Sequence, residues 1–179
     1  DMEFPVVLKI ASDKILHKSD IGGVKVGIES EEEAKATFDE IIANAKKAHP
    51  DIVPDGVEVQ KMMETGQEVI VGMIKDKQFG PMIAFGMGGI YVNLIEDVSF
   101  KLANGISSQE IDNQINDTKV SELLKGYRGE APCDIDAVKE AIKRVARLTL
   151  DFPEISELDI NPIFVYENGS SALDIKIKL

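Results

Sequence analysis

A lysine near the start of the chain and an acidic, amide-bearing stretch near its end are side chains of the kind that grip a metal-bridged phosphate. Lys9 closes on the apolar run Val6-Val7-Leu8. A lysine so placed can lay its stem on apolar neighbours and set its ammonium on a phosphate oxygen. Read alone, a strand-end lysine in solvent is the commoner case. Gly22-Gly23 follows His17-Lys18-Ser19-Asp20, and Gly86, Gly88 and Gly89 form a second cluster. Glycine lets backbone N–H groups approach an anion and form a nest. Neither cluster is a G-x-x-x-x-G-K-[ST] loop or a G-x-G-x-x-G fingerprint, and taken singly each is more often a tight turn. Asp159-Ile160-Asn161 puts Asp159 and Asn161 on one face of a strand, because strand side chains alternate. Asp174 lies on the following strand, and a hairpin around Gly169 would bring it across from Asn161. Mg²⁺ takes hard oxygen ligands and commonly only one or two from the protein. A carboxylate with an amide oxygen suits it, although two solvent-facing aspartates fit the spacing equally well.

The rest of the composition narrows the choice. The chain has 179 residues, 44% hydrophobic and 29% charged, enough to bury a core as one domain or two small lobes. Acidic residues outnumber basic ones 32 to 20, for a net charge of −12. That balance argues against nucleic acid or an anionic membrane as a general partner, since both demand clustered positive charge. A nucleotide can still be held through local lysines, backbone N–H groups and a divalent metal. No apolar run approaches the roughly 20 residues of a membrane span, and no charged-then-apolar leader is present. The single cysteine, Cys133, excludes an internal disulfide and fits a reducing cytoplasm.

These residues need elements to position them. Residues 4–10 read at once as a strand, an abrupt beginning that suggests an excised fragment. Residues 11–23 read as a loop. Val24, Val26 and Ile28 alternate as a strand with one buried face. Ser30 through Glu33 reads as a capping box, with Glu33 reaching back to the Ser30 N-cap. Ala34, Phe38, Ile41, Ile42, Ala45 and Ala48 then follow helical spacing up to Pro50. Short strands are expected around Val57 and Val59, from Val69 to Met73, and from Pro81 to Phe85, the last two joined by the polar turn 75–79. Ile90 to Ile95 resumes as strand. Helices are expected at about 107–116, 118–125 and 135–149, the last with Ile135, Val138, Ile142, Val145 and Thr149 on one face. Two strands, about 157–165 and 171–177, flank the turn Glu167-Asn168-Gly169. Interspersed strands and helices place the chain in the α/β or α+β class.

Ordered along nearly the whole chain, a set of motifs resembles the ATP-grasp part of the nucleoside-diphosphate-forming acyl-CoA synthetases, in particular the β subunit of ADP-forming acetyl-CoA synthetase. A more distant likeness is to the succinyl-CoA synthetase β subunit. The resemblance is carried by Val6 to Lys9, Ile15 to Val24, Val59 to Met62, Gly66 to Gly72, Gln78 to Pro81, and Phe85 to Val92. It continues through Asp97 to Phe100, Gly126 to Gly129, Glu157 to Pro162, and Leu173-Asp174. It implies an α+β ATP-grasp fold, two lobes around a nucleotide cleft: a smaller lobe at 1–64, lacking the family's usual N-terminal portion, and a larger one at 65–179.

The resemblance also implies roles. Lys9 would contact the ATP phosphates, aided by the Gly22-Gly23 loop, and Gln60, Lys61 and Met62 would form the hinge whose backbone reads adenine. Glu68 would sit near the ribose. Asn161 and Asp174 would hold Mg²⁺. Asp159 would face a phosphohistidine loop from an α subunit or fused CoA-binding domain, and His17 would take part in relaying the phosphoryl group. CoA and the acyl substrate would come through that partner, without nucleic acid or membrane. Without the resemblance, His17 reads as a surface residue beside Lys18 and Asp20. His49, at a helix end, reads as dipole-compensating or solvated, and Cys133 has no catalytic part. The sequence departs from the family pattern at Asn93, often Glu, at Lys101 and Lys176, usually Arg, and at Asn104-Gly105, where Pro is frequent. A regulatory module without turnover and a different ATP-grasp carboxylate ligase are the alternative readings.

Overall fold

The computed structural model describes residues 2–15, 18–89 and 97–179. The chain divides into two compact units, Asp1–Glu64 and Thr65–Leu179.

In the first unit, β1 (Val6–Ala11) lies between β2 (Val24–Ile28) and β3 (Gly56–Lys61), antiparallel to both. Helix α1 (Glu31–Ala48) packs on one face of this sheet. Val6, Leu8 and Ile10 alternate toward α1 and meet Ile41 and Ala45 there, while Val7 and Lys9 take the opposite face. Ser30 caps α1 by accepting the Glu33 N–H, and three glutamates crowd the first turn, where the helix dipole favours them. The expected box is shifted by one residue: the Glu33 carboxylate accepts the N–H of Glu29, not that of Ser30.

Two expectations of periodicity fail in this unit. Val26 does not join Ile28 in the core and is 66% exposed. The pairing of β1 with β2 slips between Val6 and Leu8, and Gly27 adopts φ 74°, so the alternation of β2 breaks. On α1, Thr37 is buried while Phe38 is 43% exposed and Ala48 is exposed. Phe38 lines an open apolar groove with Leu8, Val57 and Val59.

Among the described residues, the second unit is a six-stranded sheet with helices on one face. Its strands are β4 (Gln67–Asp76), β5 (Gly80–Met87), β6 (Val98–Leu102), β7 (Glu157–Val165), β8 (Ser170–Ala172) and β9 (Ile175–Lys178), in the order β6-β5-β4-β7-β8, with β9 also on β7. The final strand expected at 171–177 is thus interrupted at Leu173-Asp174. Helices α2 (Ser108–Asn116), α3 (Val120–Leu124) and α4 (Ile135–Asp151) supply the opposing layer. Val69, Val71 and Met73 of β4, with Ile83 and Phe85 of β5, meet Ile111, Leu124, Val138 and Ile142 in a continuous core. Each fully buried aliphatic side chain contributes about 1.5–3 kcal/mol relative to exposure. The expected face of α4 is the observed one, with Ala146 added to Val138, Ile142, Val145 and Thr149. The segment expected as a strand from Ile90 to Ile95 lies outside the described residues.

Strand β7 carries one extra residue against β4. Val71 faces Ile160 and Val69 faces Ile163, so the two positions from 71 to 69 span three from 160 to 163. That bulge keeps Leu158, Ile163 and Val165 on the core side while Asp159 and Asn161 stand on the open face.

Candidate functional site

The open face of the larger sheet gathers the late acidic and amide residues. Asp159 pairs directly with Lys176 across β7 and β9. The Asn161 N–H donates to the Asp174 carbonyl at 3.2 Å. Lys176 Nζ lies 3.9 Å from Asp174 Oδ2. Asn161 and Asp174 therefore lie side by side, as the hairpin argument expects, with Asp159 and Lys176 further along the strands. The hairpin turn is fixed from below: Asp134 caps α4 through the Ala137 N–H and also accepts the N–H of Gly169.

Asp159 is the electrostatically unusual member. Burial pushes its carboxyl above the ordinary aspartate range, Lys176 pulls the other way, and Asp174 and Glu157 add to the rise. Its Oδ1 is buried with no hydrogen-bond partner among the described residues. An orphaned acceptor of this kind is costly in a folded protein and marks a place where a donor or cation is accommodated.

The second glycine cluster builds one wall of the site. Gly88 donates its N–H to the Glu68 carbonyl, and Gly89 donates its N–H to Asn161 Oδ1 at 2.9 Å. A Cβ on Gly89 would land on the Glu68 carboxylate, and Gly89 has φ 80°. Only glycine lets the chain turn there with Glu68 and Asn161 both in place. Asp97 is 8% exposed, and its two carboxylate oxygens accept the N–H groups of Lys119 and Val120 at 2.8 and 2.9 Å. Sequence reasoning quoted Asp97 inside a motif but assigned it nothing. A lone acidic residue before a strand gives no signal that it caps a helix 22 residues later.

In the first unit, Lys9 is 9% exposed and sits on the face away from α1, its register partners Glu58 on β3 and Val24 on β2. Gln60 shares that face, and its Nε2 donates to Glu58 Oε2 at 3.3 Å. Lys61 ends β3 and Met62 follows, its N–H donating to the Pro5 carbonyl at 3.4 Å. The N–H groups of Gly22 and Gly23 are given to Ser19 and Lys18 carbonyls, so in this conformation the pair closes a tight turn. His17 lies outside the described residues. Cys133 is half-buried, and burial pushes its thiol up, away from the reactive thiolate. His49 is the C-cap residue of α1.

Among the described residues, no three His, Cys, Asp or Glu side chains form a metal-holding group. The donor set on the open face is one amide oxygen and one or two carboxylates, matched to a hard cation that takes its remaining ligands from phosphate and water. No helix among the described residues is long and apolar enough to cross a membrane.

Comparison with known proteins places this geometry. The model of an ATP-grasp domain family matches residues 1–179. The β subunit of acetate–CoA ligase [ADP-forming] I from Pyrococcus furiosus is 46% identical over 179 residues, covering 100% of this chain and 77% of the relative. The dinucleotide forming acetyl-coenzyme A synthetase 1 of Ca. Korarchaeum cryptofilum, in complex with coenzyme A, Ca-AMPCP and HgCl⁺, superposes with a TM-score of 0.94 at 43% identity, over 99% of this chain and 77% of that one. A second structure of that enzyme, with coenzyme A and Mg-AMPPCP, has its phosphohistidine segment pointing towards the nucleotide binding site. It matches with a TM-score of 0.85 at 42% identity, over 99% and 77% of the two chains. Against longer curated relatives the chain spans 25% of their length. Matched from end to end by the family model and by a β subunit, the chain belongs to the ATP-grasp domain family, in the branch that includes the β subunit of an ADP-forming CoA ligase.

Proposed function

We propose that this chain is the nucleotide-binding part of an ADP-forming acyl-CoA synthetase that works with a CoA-binding partner, a separate α subunit or a fused domain. The observation that carries the reading is the meeting of Asn161, Asp174 and Asp159 on one sheet face, in a chain 46% identical throughout to such a ligase's β subunit. In this reading Lys9 binds the nucleotide phosphates, the backbone of Gln60, Lys61 and Met62 reads adenine, and Glu68 takes the ribose. Asn161 and Asp174 would hold Mg²⁺, which when bound neutralises phosphate charge. His17 takes part in the relay. Cytoplasmic residence belongs to the same reading, supported by the unpaired Cys133.

The proposed reaction in the ATP-forming direction begins on the partner. Acyl-CoA and phosphate give CoA and acyl phosphate, whose phosphoryl group moves to a partner histidine and then to ADP. In that last step the N–P bond breaks, a β-phosphate oxygen forms the new O–P bond, and the imidazole nitrogen keeps the electron pair. This chain orients rather than attacks. Asp159, with an unsatisfied buried oxygen, accepts the other ring N–H of the incoming imidazole and holds it in line. Lys176, the register partner of Asp159 and 3.9 Å from Asp174 Oδ2, sets a positive charge beside the phosphates. Positioning and fixed charge of this kind supply most of the catalysis in phosphoryl transfer.

Isothermal titration with Mg·ADP tests the binding half. Wild type is expected to bind, and Asp174→Ala to weaken binding at least about tenfold, which is about 1.4 kcal/mol. A flat wild-type trace from folded protein would sink the reading. Equal affinity in the variant would remove Asp174 from the metal set. Mixing with the cognate CoA-binding partner, acetyl-CoA, phosphate and ADP tests the second half, with ATP formation as the expected result.

A further inference from the structure

Strand β9 carries a positive charge into the acidic end of the larger sheet. Lys176 is the register partner of Asp159 on β7, and its Nζ lies 3.9 Å from Oδ2 of Asp174, two residues earlier in the chain. Side chains directly opposite across an antiparallel pair have Cβ atoms about 4.5–5.5 Å apart. One ammonium therefore serves two carboxylates, one across the strands and one alongside. At 3.9 Å the contact with Asp174 is electrostatic, too long for a hydrogen bond. The Lys176 side chain is 47% exposed, that of Asp174 25%. The ammonium is thus held by charge alone on a flexible four-carbon stem that can swing outward. Glu157 and Lys178 pair in the neighbouring row and cancel one another. Formally, Asp159, Asp174 and Lys176 then leave a single negative charge at this end of the face.

Resting on the function proposed above, we infer that Lys176 is a resident counter-ion that makes the site accept its divalent cation together with the nucleotide and not alone. Asn161 and Asp174 offer a hard cation two protein oxygens, and an ion arriving by itself must draw the rest of its shell from water. It would also have to settle beside an ammonium already 3.9 Å from Asp174, against one net negative charge. Mg·ADP meets neither obstacle. Its phosphates supply the missing oxygen ligands and enough negative charge for both cations. The ammonium exchanges Asp174 for a phosphate oxygen and never stands without an anion. Lys178 lacks these contacts. It lies one step along the same strand face, opposite Glu157, and is the ordinary exposed lysine that blunts a sheet edge.

The test is titration calorimetry on the whole chain with two probes, Mn²⁺ alone, a hard octahedral stand-in for Mg²⁺, and Mg·ADP. Lys176→Met is expected to bind bare Mn²⁺ at least about tenfold more tightly than wild type, the size of a lost repulsion between a divalent ion and an ammonium a few ångströms away. Mg·ADP should bind the same variant no more tightly than it binds wild type, because a phosphate partner goes with the competitor. Lys176→Arg keeps the charge and should keep the wild-type preference. Lys178→Met removes an equal charge nearby and is expected to leave both affinities within about twofold. Adding Asp174→Asn to Lys176→Met should abolish the gained Mn²⁺ affinity. Should Lys176→Met lose its fold by circular dichroism, Lys176→Gln carries the same expectation. Unchanged Mn²⁺ affinity in a folded Lys176 variant overturns the inference. So does an equal rise in Lys178→Met, a Mn²⁺ gain that survives Asp174→Asn, or a gain for Mg·ADP as large as that for bare Mn²⁺. If wild type fails to bind Mg·ADP, the proposed function fails and the counter-ion role with it; if wild type binds Mg·ADP while Lys176→Met gains nothing for Mn²⁺, the counter-ion role alone fails.

Discussion

Asn161 Oδ1 accepts the backbone N–H of Gly89 at 2.9 Å, tying together residues 72 positions apart. This bond fixes the amide of the proposed metal ligand and the turn of the glycine loop at once. Gly89 holds φ 80° and has the Glu68 carboxylate where a Cβ would go. Gly89→Ala is expected to destabilise by about 1–3 kcal/mol through left-handed strain alone. Mg·ADP affinity should fall as well, because both Glu68 and Asn161 must shift. Thermal melts and titration calorimetry on the same preparation check this, and an unaltered affinity would show that the loop does not position the site.

Asp97 stands as a cap supplied from outside its helix. Both carboxylate oxygens accept N–H groups at the start of α3, a helix of five residues whose own N-cap position, Lys119, has no side chain able to do so. Asp97→Ala leaves two donors unpaired, that of Val120 buried and that of Lys119 partly so, and is expected to cost roughly 1–3 kcal/mol, measured by urea unfolding. Asp97→Asn keeps one acceptor and should fall between. A loss near zero would mean that water replaces the cap.

Asp134 links stability to pH in a known direction. The N–H of Ala137 and then that of Gly169 hold its carboxyl below the ordinary aspartate range, although the group itself is solvent-accessible. A depressed native pKa stabilises the fold above the unfolded value, near 3.9, and that contribution disappears as pH falls through the native value. The stability gap between wild type and Asp134→Ala should therefore be widest near neutrality and close progressively below about pH 4. Unfolding curves across that range decide it; a gap that stays constant would assign the loss to helix propensity.

Neighbouring positions on α1 should respond in opposite ways. Ile41 is 0% exposed and Phe38 is 43% exposed. Ile41→Ala is expected to cost about 2–5 kcal/mol, whereas Phe38→Ser should stay within about 1 kcal/mol. Comparable losses at both sites, read from thermal melts, would place Phe38 in the core after all.

That contrast shows where sequence reading reaches its limit. The helical period identified α1, but an apolar stripe of Ala34, Phe38, Ile41, Ile42 and Ala45 is wider than one three-stranded sheet can cover, and only packing decides that Thr37 goes inside while Phe38 goes out. Helix α4 was legible nearly residue by residue, because its apolar stripe is narrow and the sheet beneath it broad. Asp159, Asn161 and Asp174 were legible because strand alternation and a glycine turn are local rules. The Asp97 cap, the slip at Val26 and the grip of Asn161 on Gly89 were not. Each depends on which distant backbone groups are left without partners, and no local pattern records that.

Strand β7 serves two masters through its extra residue. Upstream of the bulge its odd-numbered Asp159 and Asn161 look outward; downstream, odd-numbered Ile163 and Val165 look inward. Plain alternation continued from Leu158 and Ile160 would instead turn Ile163 and Val165 to the open side and bring Phe164 into the core. The doubled step changes the parity of the strand, and that change lets one continuous segment present polar groups first and aliphatic ones afterwards.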